Sequence, residues 1–163
     1  MIKGLHHNAY RCRDSEQTRN FYEGFLGLPL SGSLDIRETK TGRTTAVLHT
    51  FYRLDDGSHL AFFETGDLPF EFKAQHDFDL HIALEVGAES LQPMLAKGRA
   101  RGIECRGPSH HGMIDSIYFR DPNGYVIELC AKREDHDALM DPARNGAREA
   151  LERWSASKAG APA

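Results

Sequence analysis

The chain is short of cysteine, of charge of one sign and of long apolar runs, and each shortage removes a class of protein. Its three cysteines, Cys12, Cys105 and Cys130, are widely spaced and form no CxxC pair. Neither a disulfide framework nor a zinc knuckle is supported, and reduced thiols are expected. The 20 Lys and Arg are outnumbered by 24 Asp and Glu, for a net charge of -4, and the two signs are interspersed. No basic stripe offers itself to nucleic acid or anionic lipid, which leaves a small neutral or anionic molecule as the expected partner. No stretch approaches the roughly 18 apolar residues of a membrane span, and the opening MIKGLHH lacks the apolar centre of a signal peptide. The expected location is the cytoplasm, with no membrane partner. What is present is 163 residues with 40% hydrophobic content, enough for one domain with a real core.

Turn and cap residues divide the chain into elements. GLHHNAYRCR (4–13) reads as a strand. Asp14 is a good N-cap with Gln17 three residues on, and Phe21, Phe25 and Leu26 recur at helical spacing until Gly27. TTAVLHTFYRL (44–54) and SHLAFFE (58–64) flank the turn Asp55-Asp56-Gly57 as a hairpin. FDLHIALEV (78–86) is another strand, and AESLQPMLAKGRARG (88–102) is a helix that tolerates Pro93 in its first turns. SIYFRD and YVIELCA flank Asn123-Gly124 as a second hairpin. The second half thus repeats the first, and setting His7 on His81 also sets Ala9 on Ala83 at an offset near 74. The expected fold is α+β: paired βαβββ motifs, about 3–65 and 76–131, forming a curved mixed-sheet cup with helices outside. A single domain would cover 1–133, with a C-terminal helix and tail over 134–163.

Residues two apart on a strand share a face, which says what lines the cup. Leu80, Ile82, Leu84 and Val86 form an aliphatic face, leaving His81 and Ala83 on the other. Glu128 opposes Ile127 and Leu129 in the same way, and His7 shares a face with Ala9. Two imidazoles and a carboxylate facing one cavity suit Fe(II), Mn(II) or Zn(II) with open coordination positions. A metal would also account for a carboxylate among apolar neighbours, which is costly without a partner. The alternative is that both histidines are satisfied core residues and Glu128 pairs with Arg11 or Arg120. Phe51, Phe63 and Phe70 serve either as apolar walls or as core packing.

The segments LHHNAY, FYEGFLGLPL, DLHIAL and YFRDPNGYVIEL resemble the vicinal oxygen chelate superfamily over residues 3–131. That superfamily includes glyoxalase I, fosfomycin-resistance thiol transferases, bleomycin-binding proteins and extradiol ring-cleavage dioxygenases. The resemblance implies one divalent metal, Fe(II) or Mn(II) ahead of Zn(II) or Ni(II), held by His7, His81 and Glu128, in a homodimer. The fourth ligand of glyoxalase I falls on Ala61, and Glu64, of opposite parity, could replace it only through a bulge. HHGMIDSIYFRDPNGYVIE resembles the extradiol signature more closely, and single-module extradiol dioxygenases are the nearest in motif. This implies Tyr118 beside the metal, hydrogen-bonded to a catecholate oxygen, and His111 or His110 moving a proton. Two departures stand out: Pro108 or Ser109 occupies the place two before the signature histidine, and Gly66, Asp67 and Leu68 stand where an acid-base histidine is usual. His76 or the cup-facing His59 are the candidates to replace it, with His59, Phe63 and Phe51 on the substrate. The expected reaction is O2-dependent cleavage of a catechol-like ring. The alternatives are a glyoxalase-like lyase, isomerase or thiol transferase, and a non-catalytic small-molecule binder.

DPARNGAREALERWSASK follows, with Asp141 as N-cap, Pro142 at the first helical position and Ala143, Ala147, Leu151 and Trp154 on one stripe. This helix is expected to cap the cup, to cross a dimer interface or to lie on the surface, and AGAPA after it to fray.

Overall fold

The computed structural model describes residues 1–158. β1 (His7–Arg11), α1 (Ser15–Tyr22), β2 (Leu30–Glu38), β3 (Thr44–Arg53) and β4 (His59–Thr65) make one motif. β5 (Ile82–Glu85), α2 (Ala88–Ala100), β6 (Cys105–His110), β7 (Ile114–Arg120) and β8 (Val126–Lys132) make the other. Each motif forms a four-stranded mixed sheet, ordered β1-β4-β3-β2 and β5-β8-β7-β6, whose first strand runs parallel to its last. The expected paired βαβββ architecture is borne out, followed by a short α3 (His136–Leu139) and α4 (Ala147–Lys158). Among the described residues no helix is long and apolar enough to cross a membrane.

Local chemistry explains where α1 begins and ends. Asp14 is extended and its carboxylate accepts the Gln17 N–H at 2.7 Å, satisfying one of the helix's free donors. The Ser15 N–H is taken by Glu64 Oε2 at 2.6 Å. Glu64 therefore lies on the helix side of its sheet, where it secures α1, and does not turn toward the opposite face. Beyond the helix Gly27 adopts φ 87°, a left-handed conformation that favours glycine.

One hydrophobic core serves both motifs. Tyr22, Phe25, Tyr52, Leu60 and Phe62 from the first join Ile82, Leu84, Ile117, Phe119, Ile127 and Leu129 from the second. Each such side chain contributes roughly 1.5–3 kcal/mol on burial. The Phe25 and Phe119 rings meet at 5.0 Å. They close over Gly98 of α2, where a Cβ would stand 2.5 Å from the Phe119 ring. Polar ties reinforce the join: Tyr22 donates to Asp121 Oδ2 and Tyr125 to the Arg11 carbonyl, each at 2.9 Å. These are the helix-covered faces of the two sheets. Their opposite faces lie outside this core, and the sheets do not close on one another.

Four elements differ from the sequence reading. β2 and β6 carry LSGSLDIRE and CRGPSH, where Gly, Ser and Pro dilute the strand signal; both are edge strands. β5 begins at Ile82, so His81 stands just before it. The last helix begins at Ala147, not after Asp141: Asp141 Oδ1 caps only a turn through the Ala143 N–H. Gly146 then takes φ 62°, and Asn145 Oδ1 accepts the Ala147 N–H at 2.9 Å. α4 buries none of its residues. The AGAPA segment lies outside the described residues.

Candidate metal centre

The second sheet carries a cross-strand row of Ala83, Glu128, Tyr118 and Arg106 on the face away from the core. Glu128 is 4% exposed. Ser116 Oγ donates to its Oε1, and its Oε2 stands 3.4 Å from His81 Nε2. The other ring nitrogen, Nδ1, lies 2.9 Å from the Asp77 carbonyl, which can only accept, so Nδ1 carries a hydrogen. Nε2 therefore faces the Glu128 carboxylate. A backbone-anchored imidazole beside a hydrogen-bonded carboxylate is a donor set suited to a divalent metal. Neither arginine considered as a partner takes Glu128: Arg11 donates to the Leu68 carbonyl, and Arg120 to Glu104 and the Gly124 carbonyl.

Tyr118 and His111 come together beside this pair, with His111 Nε2 2.8 Å from the Tyr118 hydroxyl. Burial, and then the charge of Glu128, push the Tyr118 phenol above its ordinary value, so its O–H is retained. His110 turns away, with Nδ1 2.8 Å from Asp115 Oδ1 at the surface, a hydrogen bond that holds the Asp115 carboxyl below its usual range. His76 lies in an exposed loop, where its Nδ1 accepts the Phe78 N–H.

On the first sheet His7 lies among other aromatic rings, 5.5 Å from Phe51 and 6.0 Å from His49 between centroids, with its Nδ1 2.8 Å from His6 Nδ1. His59 and Phe63 share that face, since β1, β3 and β4 pair His7 with His59 and His49 with Phe63. Partial desolvation by the rings beside it, and then the neighbouring imidazoles, lower the pKa of the exposed His7, which favours the neutral ring that a metal requires. Ala61, where a fourth carboxylate would stand, is fully buried. The sequence reading missed His49, which stacks on Phe63 at 3.6 Å. Its signal was available, because His49 and Phe51 alternate along TTAVLHTFYRL. Ser116, Asp77 and Arg106 were also missed.

The three expected ligands are thus divided, with His81 and Glu128 together on one sheet and His7 on the other. Among the described residues no group of three or more His, Cys, Asp or Glu is assembled to hold a metal ion.

Residues 4–129 match the Glyoxalase/Bleomycin resistance protein/Dioxygenase superfamily. Over 142 residues the chain is 27% identical to a lactoylglutathione lyase of Neisseria meningitidis serogroup A, covering 83% of this chain and 95% of that one. A stretch of 31 residues, 19% of the chain, is 52% identical to biphenyl-2,3-diol 1,2-dioxygenase 3 of Rhodococcus globerulus, where it spans 16% of the length. In fold the chain is similar to a mutant of the fosfomycin resistance protein FosX from Listeria monocytogenes, complexed with Mn(II) and 1S,2S-dihydroxypropylphosphonic acid. That likeness has a TM-score of 0.61 at 22% identity and covers 85% of this chain and 99% of that one.

Proposed function

The chain belongs to the glyoxalase/bleomycin resistance protein/dioxygenase superfamily, and from that membership we propose that it is a metal-dependent enzyme cleaving a catechol-like ring with O2. The observation that carries this reading is the Tyr118–His111 hydrogen bond, set beside the Glu128–His81 pair. A divalent cation, Fe(II) or Mn(II), held by His81, Glu128 and His7 would supply Lewis acidity and a template for two adjacent substrate oxygens. His7 would come from a second copy of the chain, because one chain keeps the two half-sites apart.

The residues around the pair have separable tasks. Ser116 fixes one oxygen of Glu128 and leaves the other free. Tyr118 donates its O–H to a substrate oxygen, and His111, on the far side of that hydroxyl, takes or returns the proton. Phe51 and Phe63, on the same sheet face as His7 and brought with it by the second copy, would form the apolar wall that keeps water from the ring, with His59 at its edge. His110 and His76, engaged by Asp115 and Phe78, stand aside from proton transfer.

The full-length likeness to a lactoylglutathione lyase favours a second reading, an oxygen-independent lyase or isomerase using the same metal set. Ala61 in the fourth-ligand place counts against it. The test is oxygen uptake by anaerobically Fe(II)-loaded protein given a panel of catechols. Uptake with a yellow ring-opened product is expected. No uptake from protein holding its full complement of metal would overturn ring cleavage, and turnover of a glutathione hemithioacetal without O2 would then establish the second reading.

A further inference from the structure

Arg106 occupies an unusual place on the same face. It lies one strand beyond Tyr118 in the row that contains Glu128, and its guanidinium carbon sits 3.8 Å from the Tyr118 ring centroid. Asp77 holds it there, accepting from Nη2 at 2.8 Å, and the same Asp77 anchors His81 through its carbonyl. The neighbouring Arg120 has its donors committed to Glu104 Oε1, the Gly124 carbonyl and Asp77. Arg106 is engaged through Nη2 alone among the described residues, and its side chain is 54% exposed. Its remaining N–H groups are therefore available in a fork whose plane the tyrosine ring and Asp77 already fix. Beside it a cavity of about 50 Å³, bounded by Arg106, Tyr118, Arg120, Val126 and Glu104, whose carboxylate is taken by Arg120, has room for a small polar group and none for a ring.

We propose that Arg106 is a specificity-determining residue that receives an anionic substituent, such as a carboxylate, on the substrate carrying the vicinal oxygens. This rests on the metal-cup reading above and not on ring cleavage itself. A pre-oriented guanidinium is suited to a planar anion, because it offers two parallel N–H donors at little further cost in side-chain entropy. The guanidinium stacks over the face of the ring whose edge carries the Tyr118 hydroxyl, so a ligand with an oxygen at that hydroxyl and an anionic substituent beside it would meet both groups.

The test is calorimetric binding of ligand pairs to anaerobic Mn(II)-loaded protein: 3,4-dihydroxybenzoate against 4-methylcatechol, and dihydroxypropylphosphonate against propane-1,2-diol. The wild type should bind the anionic member of at least one pair about tenfold or more tightly. Arg106→Gln should weaken that member at least tenfold more than its neutral counterpart, and Arg106→Lys should restore part of the difference. Equal affinity within both pairs, equal weakening by Arg106→Gln, or no binding of any ligand would overturn the assignment. Oxygen uptake by the Fe(II)-loaded wild type and Arg106→Gln proteins given the two catechols tests ring cleavage separately: an Arg106-dependent preference without uptake sinks that chemistry and leaves the anion site standing.

Discussion

Glu128 is buried with one neutral hydroxyl and one imidazole as its nearest partners. Glu128→Gln keeps the shape and the Ser116 hydrogen bond but removes the charge, so metal content measured on the purified protein should fall at least about tenfold. Unchanged metal would show that Glu128 is no ligand. Tyr118→Phe should leave the metal in place and lower kcat about a hundredfold, the usual range for a positioned proton donor. A rise in KM with kcat unchanged would place Tyr118 in binding alone. Glu128, His81, Tyr118 and His111 were legible because strand parity and motif spacing act on side chains. Asp77 was not, because it holds His81 through a backbone carbonyl, which any residue could supply. Arg106 was hidden for another reason: its edge strand, CRGPSH, carries a weak strand signal, so no parity could be assigned to it.

At the scale of elements, the parts with caps and turns were readable and the parts made by pairing were not. Asp14, Gly27 and the Asn123-Gly124 turn marked their elements through local chemistry. β2 and β6 form by pairing with β3 and β7, a long-range condition that leaves little trace in composition. The β7–β8 turn also joins the two motifs, because Asp121 accepts from Tyr22, Asn123 and Tyr125. Burial outweighs those hydrogen bonds and raises the Asp121 pKa. The native state therefore holds this proton above the pH at which the unfolded chain releases it, so the Asp121 contribution to stability falls as pH rises through the raised value. Asp121→Asn lacks that dependence. Its Tm relative to wild type should therefore climb as the pH rises above the ordinary carboxylate range, and a difference that stays flat across a series of melts would contradict the assigned shift.

The whole molecule presents half a ligand set on each sheet, with both candidate faces outside the shared core. A symmetric dimer could bring the first sheet of one chain onto the second sheet of its partner and complete two equivalent sites, each combining His7 from one chain with His81 and Glu128 from the other. The repeat in the sequence announced both half-sites, but nothing in one chain's hydrophobic pattern says which copies meet. Mixing decides it. His7→Ala and Glu128→Gln are each expected to lose metal as homodimers, since every site then lacks a ligand. In a heterodimer one site combines the intact His7 of the second variant with the intact His81 and Glu128 of the first, while the other site carries both defects. Equal mixing with free exchange makes half the dimers hybrid, so metal binding should recover to about a quarter of the wild-type sites. If instead each chain closed its own cup, every site in the mixture would keep one defect and nothing would recover. Native mass spectrometry of the mixture, read for Mn(II) on hybrid dimers only, separates the two arrangements and does not depend on which substrate the enzyme takes.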